Sequence, residues 1–287
     1  LKENDFPAMI FVVVNKIGKK DYLKISQINE MIKNDIYFEI ARQSLTSLID
    51  RRYPIYKKRR RSILQIVTYT LETIFRHFPP PGNEDKGSYR LINWETRKSL
   101  KSPINNEKVL IIDASLFPPE GEDSDSHLMV EAYHKGWNRF IVFGLKGQRF
   151  HGCGFGPESD SVCIDIYGSS GDYLGSGIDG LSIYVHGNAQ DQLGQIMKSG
   201  KIVIYGDTGQ TFLYGAKGGE VYVMGNAAGR PLINAVGKPR VVINGTCLDY
   251  LAESFMAGDP FNGGGFVILN GIEFNDEGKV VNQPTPY

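Results

Sequence analysis

The chain has 287 residues, 41% of them hydrophobic, with 32 basic side chains against 32 acidic ones. That content supports a substantial core, and the neutral balance argues against nucleic acid as the general partner. No apolar run is long enough to cross a bilayer, and three scattered cysteines (Cys153, Cys163, Cys247) lack the spacing of a zinc site, an iron–sulfur cluster or a disulfide framework.

The start, Leu1-Lys2-Glu3-Asn4-Asp5, lacks the pattern of a secretory signal, which together with the few cysteines fits the cytoplasm. Neither Leu1 nor Pro284-Thr285-Pro286-Tyr287 reads as a natural end, as expected for a piece of a longer polypeptide. Phe11-Val12-Val13-Val14 is a short β-like run, and residues 24–49 carry isoleucines and leucines at roughly helical spacing. Arg51 to Arg61 is strongly basic and broken by Pro54. It reads first as a solvated helix start, second as a protein-docking patch and last as a nucleic-acid contact. Residues 62–78 have the apolar stripe of an amphipathic helix that Pro79-Pro80-Pro81-Gly82 stops. A polar, extended linker is expected to 108, giving a partly helical first segment over 1–108.

Val109 to Ala114 opens a second unit, followed by a helix from Asp125 or Ser126 to His134 with Gly136 as its stop. Residues 139–150 read as strand, turn and strand. This strand–helix–hairpin unit is expected to cap the chain beyond it, because the end of a β-solenoid exposes unpaired backbone. His151-Gly152-Cys153-Gly154-Phe155-Gly156-Pro157 spells a glycine loop, but a strand comes after it. The helix that a phosphate loop needs is missing from the pattern.

From Val162 onward one pattern recurs. Gly168, Gly187, Gly206, Gly225, Gly245 and Gly271 are separated by 19, 19, 19, 20 and 26 residues, the last interval lengthened by the insertion Phe261 to Gly265. Four residues before them stand Ile164, Ile183, Ile202, Val221, Val241 and Val267; two before stand Ile166, Val185, Ile204, Val223, Ile243 and Leu269. Positions two apart share a strand face, so these columns point into a dry core. The glycine is read as a corner that takes positive φ. Further inward columns come six residues on (Leu174, Leu193, Phe212, Pro231, Leu251) and ten on (Ile178, Met197, Ala216, Ala235, Phe255), read as a second strand. A repeat of this length predicts a mainly β protein: a right-handed parallel β-helix of about six or seven coils over 109–287. Ser169, Asn188, Asp207, Asn226 and Thr246 stand next to the glycines and are expected to bond between coils.

Two outward columns are candidates for function. Tyr167, His186, Tyr205 and Met224, with Tyr184 and Tyr222 beside them, form an aromatic, weakly charged face. It suits a protein interface, a homo-oligomer included, or cover by the N-terminal helices. Asp172 and Asp191 should lie one coil apart, giving a weak candidate acid/base or cation site, or simply a solvated corner. His186, alone among tyrosines, reads as a hydrogen-bonded surface residue rather than a ligand, and His151 and His127 have no partner at metal spacing.

The coils Gly171-Asp172-Tyr173-Leu174-Gly175-Ser176-Gly177 and Gly225-Asn226-Ala227-Ala228-Gly229 resemble the GXGXG β-helix domain at the C-terminus of the glutamate synthase large subunit. The lead-in through Asp113-Ala114, Glu131-Ala132, Gly136 and Arg139 to Phe150 is similar to the entry into that domain, and one of the subunits of formylmethanofuran dehydrogenase carries the same domain. The resemblance implies an architectural β-helix without catalytic or cofactor residues of its own. Its expected neighbours are an amidotransferase and a redox module carrying FMN and an iron–sulfur cluster. A formylmethanofuran-dehydrogenase-like complex is the second expectation, and a free-standing β-helix enzyme acting on polysaccharide is the third.

Overall fold

The computed structural model describes residues 29, 32–53, 59–82, 87–104, 106–273, 275 and 279–282. The run Phe11 to Val14 lies outside these residues, as do 24–28, 30 and 31 of the helix expected over 24–49.

Alternating β-branched side chains favour strands that are dry on one side, and here they build one long parallel sheet. Its nine strands are β1 (Tyr89–Asn93), β2 (Val109–Asp113), β3 (Arg139–Phe143), β4 (Cys163–Tyr167), β5 (Asp179–His186), β6 (Ser199–Ile204), β7 (Glu220–Val223), β9 (Arg240–Ile243) and β11 (Phe266–Leu269), stacked in that order. The short strands β8 (Val236–Gly237) and β10 (Met256–Ala257) pair separately. Ile164, Ile183, Ile202, Val221, Val241 and Val267 are in register through five successive parallel pairings, as the spacing predicts. The stack is a parallel β-solenoid of about eight turns.

The extra turns come from chain that lies ahead of the glycine repeat. β2 and β3 are rungs of the same sheet, and so is β1, which falls inside the stretch expected to be a linker. The hairpin expected over 139–150 does not form: β3 pairs in parallel with β2 and β4, and no strand comes after it before Cys163. Parallel pairing leaves the β3 chain to travel round a full coil before it can pair again.

The second face departs from the expected strand. Its columns do point inward, with Leu174, Leu193, Phe212, Met197 and Ala216 all fully buried. The backbone between them, however, passes through the left-handed region three times per coil. One column is Tyr173, Gln192, Thr211, Arg230 and Tyr250, the next Gly175, Gly194, Leu213, Leu232 and Ala252, and the third Gly177, Ile196, Gly215, Asn234 and Ser254. These segments still bond coil to coil, as in Gly194 N–H to Leu174 O (2.7 Å) and Leu213 N–H to Leu193 O (2.8 Å).

The key glycines are required for a different reason from the one their pattern implies. Gly168 and Gly271 have positive φ, but Gly187, Gly206, Gly225 and Gly245 do not. A Cβ on Gly225 or Gly245 would meet the carbonyl oxygen of the preceding coil's glycine at 2.6 Å, so the coils approach too closely for any side chain. The polar column next to them works as expected, with one change of partner. Asn188, Asp207 and Asn226 each accept the backbone N–H of the next coil, at 2.7–2.9 Å.

Among the described residues, two helices cover the sheet from outside, α1 (Asp35–Asp50) and α2 (Arg60–Phe75). α2 begins two residues before the expected helix and ends three before its expected end. Phe38, Leu48, Val67, Leu71, Ile74 and Phe75 pack on Val109, Ile111, Ile141, Phe143 and Tyr167. The first rungs are therefore dry on both faces, and all five residues of β2 are buried.

The N-terminal end of the stack is closed by polar and helical means. Arg90 of β1 occupies an inward position, fully buried, and its Nε donates to Glu107 at 2.5 Å. Glu107 also accepts the backbone N–H groups of Gly82 and Ile104. The helix α3 (Asp125–His134), capped by Ser124 rather than by its own first residue, places Leu128, Met129 and Ala132 in the same core as Ile164 and Ile183.

Candidate functional site

The outward face carries its most concentrated chemistry where α1 meets β4 and β5. Tyr167, His186 and Tyr205 stack in consecutive coils, with ring centroids 4.5 Å and 5.3 Å apart. His186 Nδ1 lies 2.9 Å from Asp50 at the end of α1, and Nε2 lies 3.2 Å from Asp165 of β4. Two carboxylates can be satisfied at once only when both ring nitrogens carry protons, so the geometry selects the imidazolium. Burial opposes that charge, but the hydrogen bonds that His186 donates to Asp165 and Asp50 outweigh it and raise the His186 pKa. Burial likewise lifts the Asp50 carboxyl above its usual range, against the pull of His186.

The network continues through Arg42. It donates to Glu39 on its own helix and to the Tyr167 hydroxyl at 2.8 Å, and lies 3.8 Å from Asp165. Tyr167 also shares a 2.8 Å hydrogen bond with Thr46. Burial holds the Tyr167 hydroxyl protonated, with its pKa raised well above the ordinary tyrosine value. This arrangement fastens α1 to the solenoid with paired charges rather than with apolar contact alone.

The expected interface residues are thus divided. Tyr167 and His186 lie buried beneath α1, while Tyr184, Tyr205 and Tyr222 are half-buried and Met224 is 44% exposed. Tyr184 and Tyr222 flank the buried Val203 in one column, and the Lys201 ammonium sits 5.3 Å over the Tyr222 ring. An aromatic strip therefore continues beyond the helical cover.

Asp172 and Asp191 are stacked neighbours, as their spacing predicts. Asp172 Oδ1 accepts the backbone N–H of Asp191 at 3.2 Å, and Asp191 Oδ1 accepts that of Gln210 at 2.8 Å. Asp172 also pairs with Arg149 at 3.2 Å. Each carboxylate thus has a structural task in joining one coil to the next.

Two features escape the sequence pattern. His151 is fully buried and bonds Asp125, the first residue of α3, at 2.7 Å, while its Nδ1 has no partner among the described residues. Its carbonyl accepts from Gly175 as that of Leu174 accepts from Gly194, so His151 occupies the inward column that later coils fill with leucine or phenylalanine. The signal for it is the repeated G-x-G: Gly152-Cys153-Gly154 is the same turn as Gly175-Ser176-Gly177, with positive φ at all four glycines. That loop leads into β4 and not into a helix. The second feature is a groove of about 710 Å³ between α2, the end of α1 and the coil corners near Tyr205. Among the described residues, no three or more His, Cys, Asp or Glu side chains gather in a way that could hold a metal ion. No helix among them is long and apolar enough to cross a membrane.

Residues 140–276 match the family model described as the GXGXG motif. They form a GXGXG domain. Comparison with curated proteins and with solved structures gives no match. The matched range takes in β3, from its second residue, to β11, with the left-handed columns between the strands. The GXGXG domain is also found in glutamate synthase large subunits. The helices α1 and α2 lie ahead of the GXGXG domain in sequence, yet α1 bonds directly to Tyr167 and His186 within it.

Proposed function

We propose that this chain is a non-catalytic β-solenoid component of a glutamate-synthase-like oxidoreductase assembly in the cytoplasm. In that role it holds an amidotransferase module and a flavin- and iron–sulfur-bearing redox module at a fixed separation, as part of nitrogen metabolism. The observation that carries this reading is the GXGXG match over residues 140–276. The stack itself supports it. Its interior is filled by aliphatic columns, and its conspicuous carboxylates, Asp172 and Asp191, accept backbone N–H groups from the next coil. A parallel solenoid resists shear through its continuous ladder, which suits a spacer between modules that must not drift.

Native mass spectrometry of the endogenous complex tests the proposal. The expected result is co-migration with amidotransferase and flavin components. Molybdenum- or tungsten-enzyme subunits in their place would replace it with a formylmethanofuran-dehydrogenase-like assembly. Turnover of a sugar polymer by the purified chain, lost on Asp172→Ala or Asp191→Ala, would overturn both.

A further inference from the structure

The chain is neutral overall, yet Arg51 to Arg61 holds seven basic residues and no acidic one. The structure places part of this run along the groove beside α2, where Arg60 and Arg61 stand at one end and Ile49, Leu64 and Tyr205 supply apolar walls. α2 has no acidic residue in its first turn and no side-chain cap from Arg59, so two arginines sit where the helix dipole is already positive. Arg60 is held by the backbone carbonyls of Ile49 and Arg51 and by the face of Tyr53. Among the described residues, neither Arg60 nor Arg61 forms a salt bridge to a carboxylate. Burial, and then the neighbouring Arg52, push the Arg60 pKa down, against the opposing pull of Tyr53.

We propose that this groove docks an acidic, amphipathic segment of a partner protein, its carboxylates on Arg60 and Arg61 and its apolar side chains against Ile49, Leu64 and Tyr205. Charge complementarity selects the sign of the partner, and the apolar walls select a peptide over a phosphate backbone. The inference rests on the assembly reading above, because it names the chemistry by which a neighbouring module would be held.

The test is fluorescence anisotropy on the full chain with a labelled synthetic peptide alternating glutamate and leucine. The comparators are the same peptide with lysine for glutamate, and a labelled single-stranded oligonucleotide. The acidic peptide should bind, weaken with added salt, and lose about tenfold or more in affinity in Arg61→Glu and Gln65→Glu. Lys238→Glu, on the exposed solenoid surface, should leave binding unchanged. Arg61 is exposed, and a glutamate in the first helical turn suits the dipole, so Arg61→Glu should melt no lower than the parent and lost binding cannot be blamed on unfolding. Parent-like binding by both groove variants, preference for the oligonucleotide, or no binding even at low salt would each overturn the proposal. Peptide binding by a chain that joins no redox complex would sink only the assembly reading. Normal assembly by a chain that fails the peptide test would sink only the groove.

Discussion

Ile196 sits at φ 56° with its side chain 47% exposed, between Gly177 at φ 72° and Gly215 at φ 62° in the coils on either side. A β-branched residue in the left-handed region crowds its Cβ against backbone, costing about 1–2 kcal/mol. The fold accepts this because the N–H of Ile196 must reach Tyr214 O at 2.9 Å to keep the coils bonded. Ile196→Gly should therefore stabilise the chain by about 0.5–1 kcal/mol, read from urea unfolding, the relief being partly offset by the greater freedom of glycine when unfolded. Gly187→Ala should do the opposite, by about 1–3 kcal/mol, because its new methyl would meet the Gly168 carbonyl. A higher midpoint for Gly187→Ala than for the parent would contradict the close-approach account. The glycines are legible in the sequence as a column, but the reason for them is not, because spacing alone does not distinguish a positive φ from a lack of room.

At the scale of elements, α1 is the component whose placement depends on charge. His186 joins Asp50 of α1 to Asp165 of β4, with Arg42, Arg51, Tyr167 and Tyr205 as the other polar groups of that junction. The folded pKa of His186 lies above its ordinary 6.5. The stabilisation it contributes is thus complete below pH 6.5 and is lost as pH rises through the raised value. Amide exchange at Leu48 and Ile49, corrected for its intrinsic pH dependence, should accelerate across that window, and His186→Gln should abolish the extra pH dependence. An unchanged profile in the variant would mean that the imidazolium does not hold the helix. The helices themselves are visible as apolar stripes at helical spacing, and α2 falls within a few residues of its expected bounds. Their docking site is not, since Tyr167 and His186 read alike as residues for a partner or for the chain's own helix.

For the whole molecule, each coil covers the apolar face of the one before it, so loss at the centre should exceed loss at the end. Ile202 is fully buried between Ile183 and Val221, whereas Val267 in β11, among the described residues, has a rung on one side alone and is only partly buried. Ile202→Ala should cost about 3–4 kcal/mol and Val267→Ala about 1 kcal/mol, measured as unfolding free energies. Similar costs at both sites would mean that another surface covers β11.

The order of coils and the identity of the inward columns came from the amino acids themselves, because a period of 19 with aliphatic residues two apart has few ways to become dry. What required the folded chain was the contact between segments far apart in sequence. β1, β2 and β3 join the sheet without carrying the glycine signature, since parallel pairing asks only for a strand at the right place. Arg90, His151 and His186 are buried charges or imidazoles whose partners, Glu107, Asp125 and Asp50, lie 17, 26 and 136 residues away. No local pattern predicts such a pair, because the favourable energy exists only once both groups have left water together.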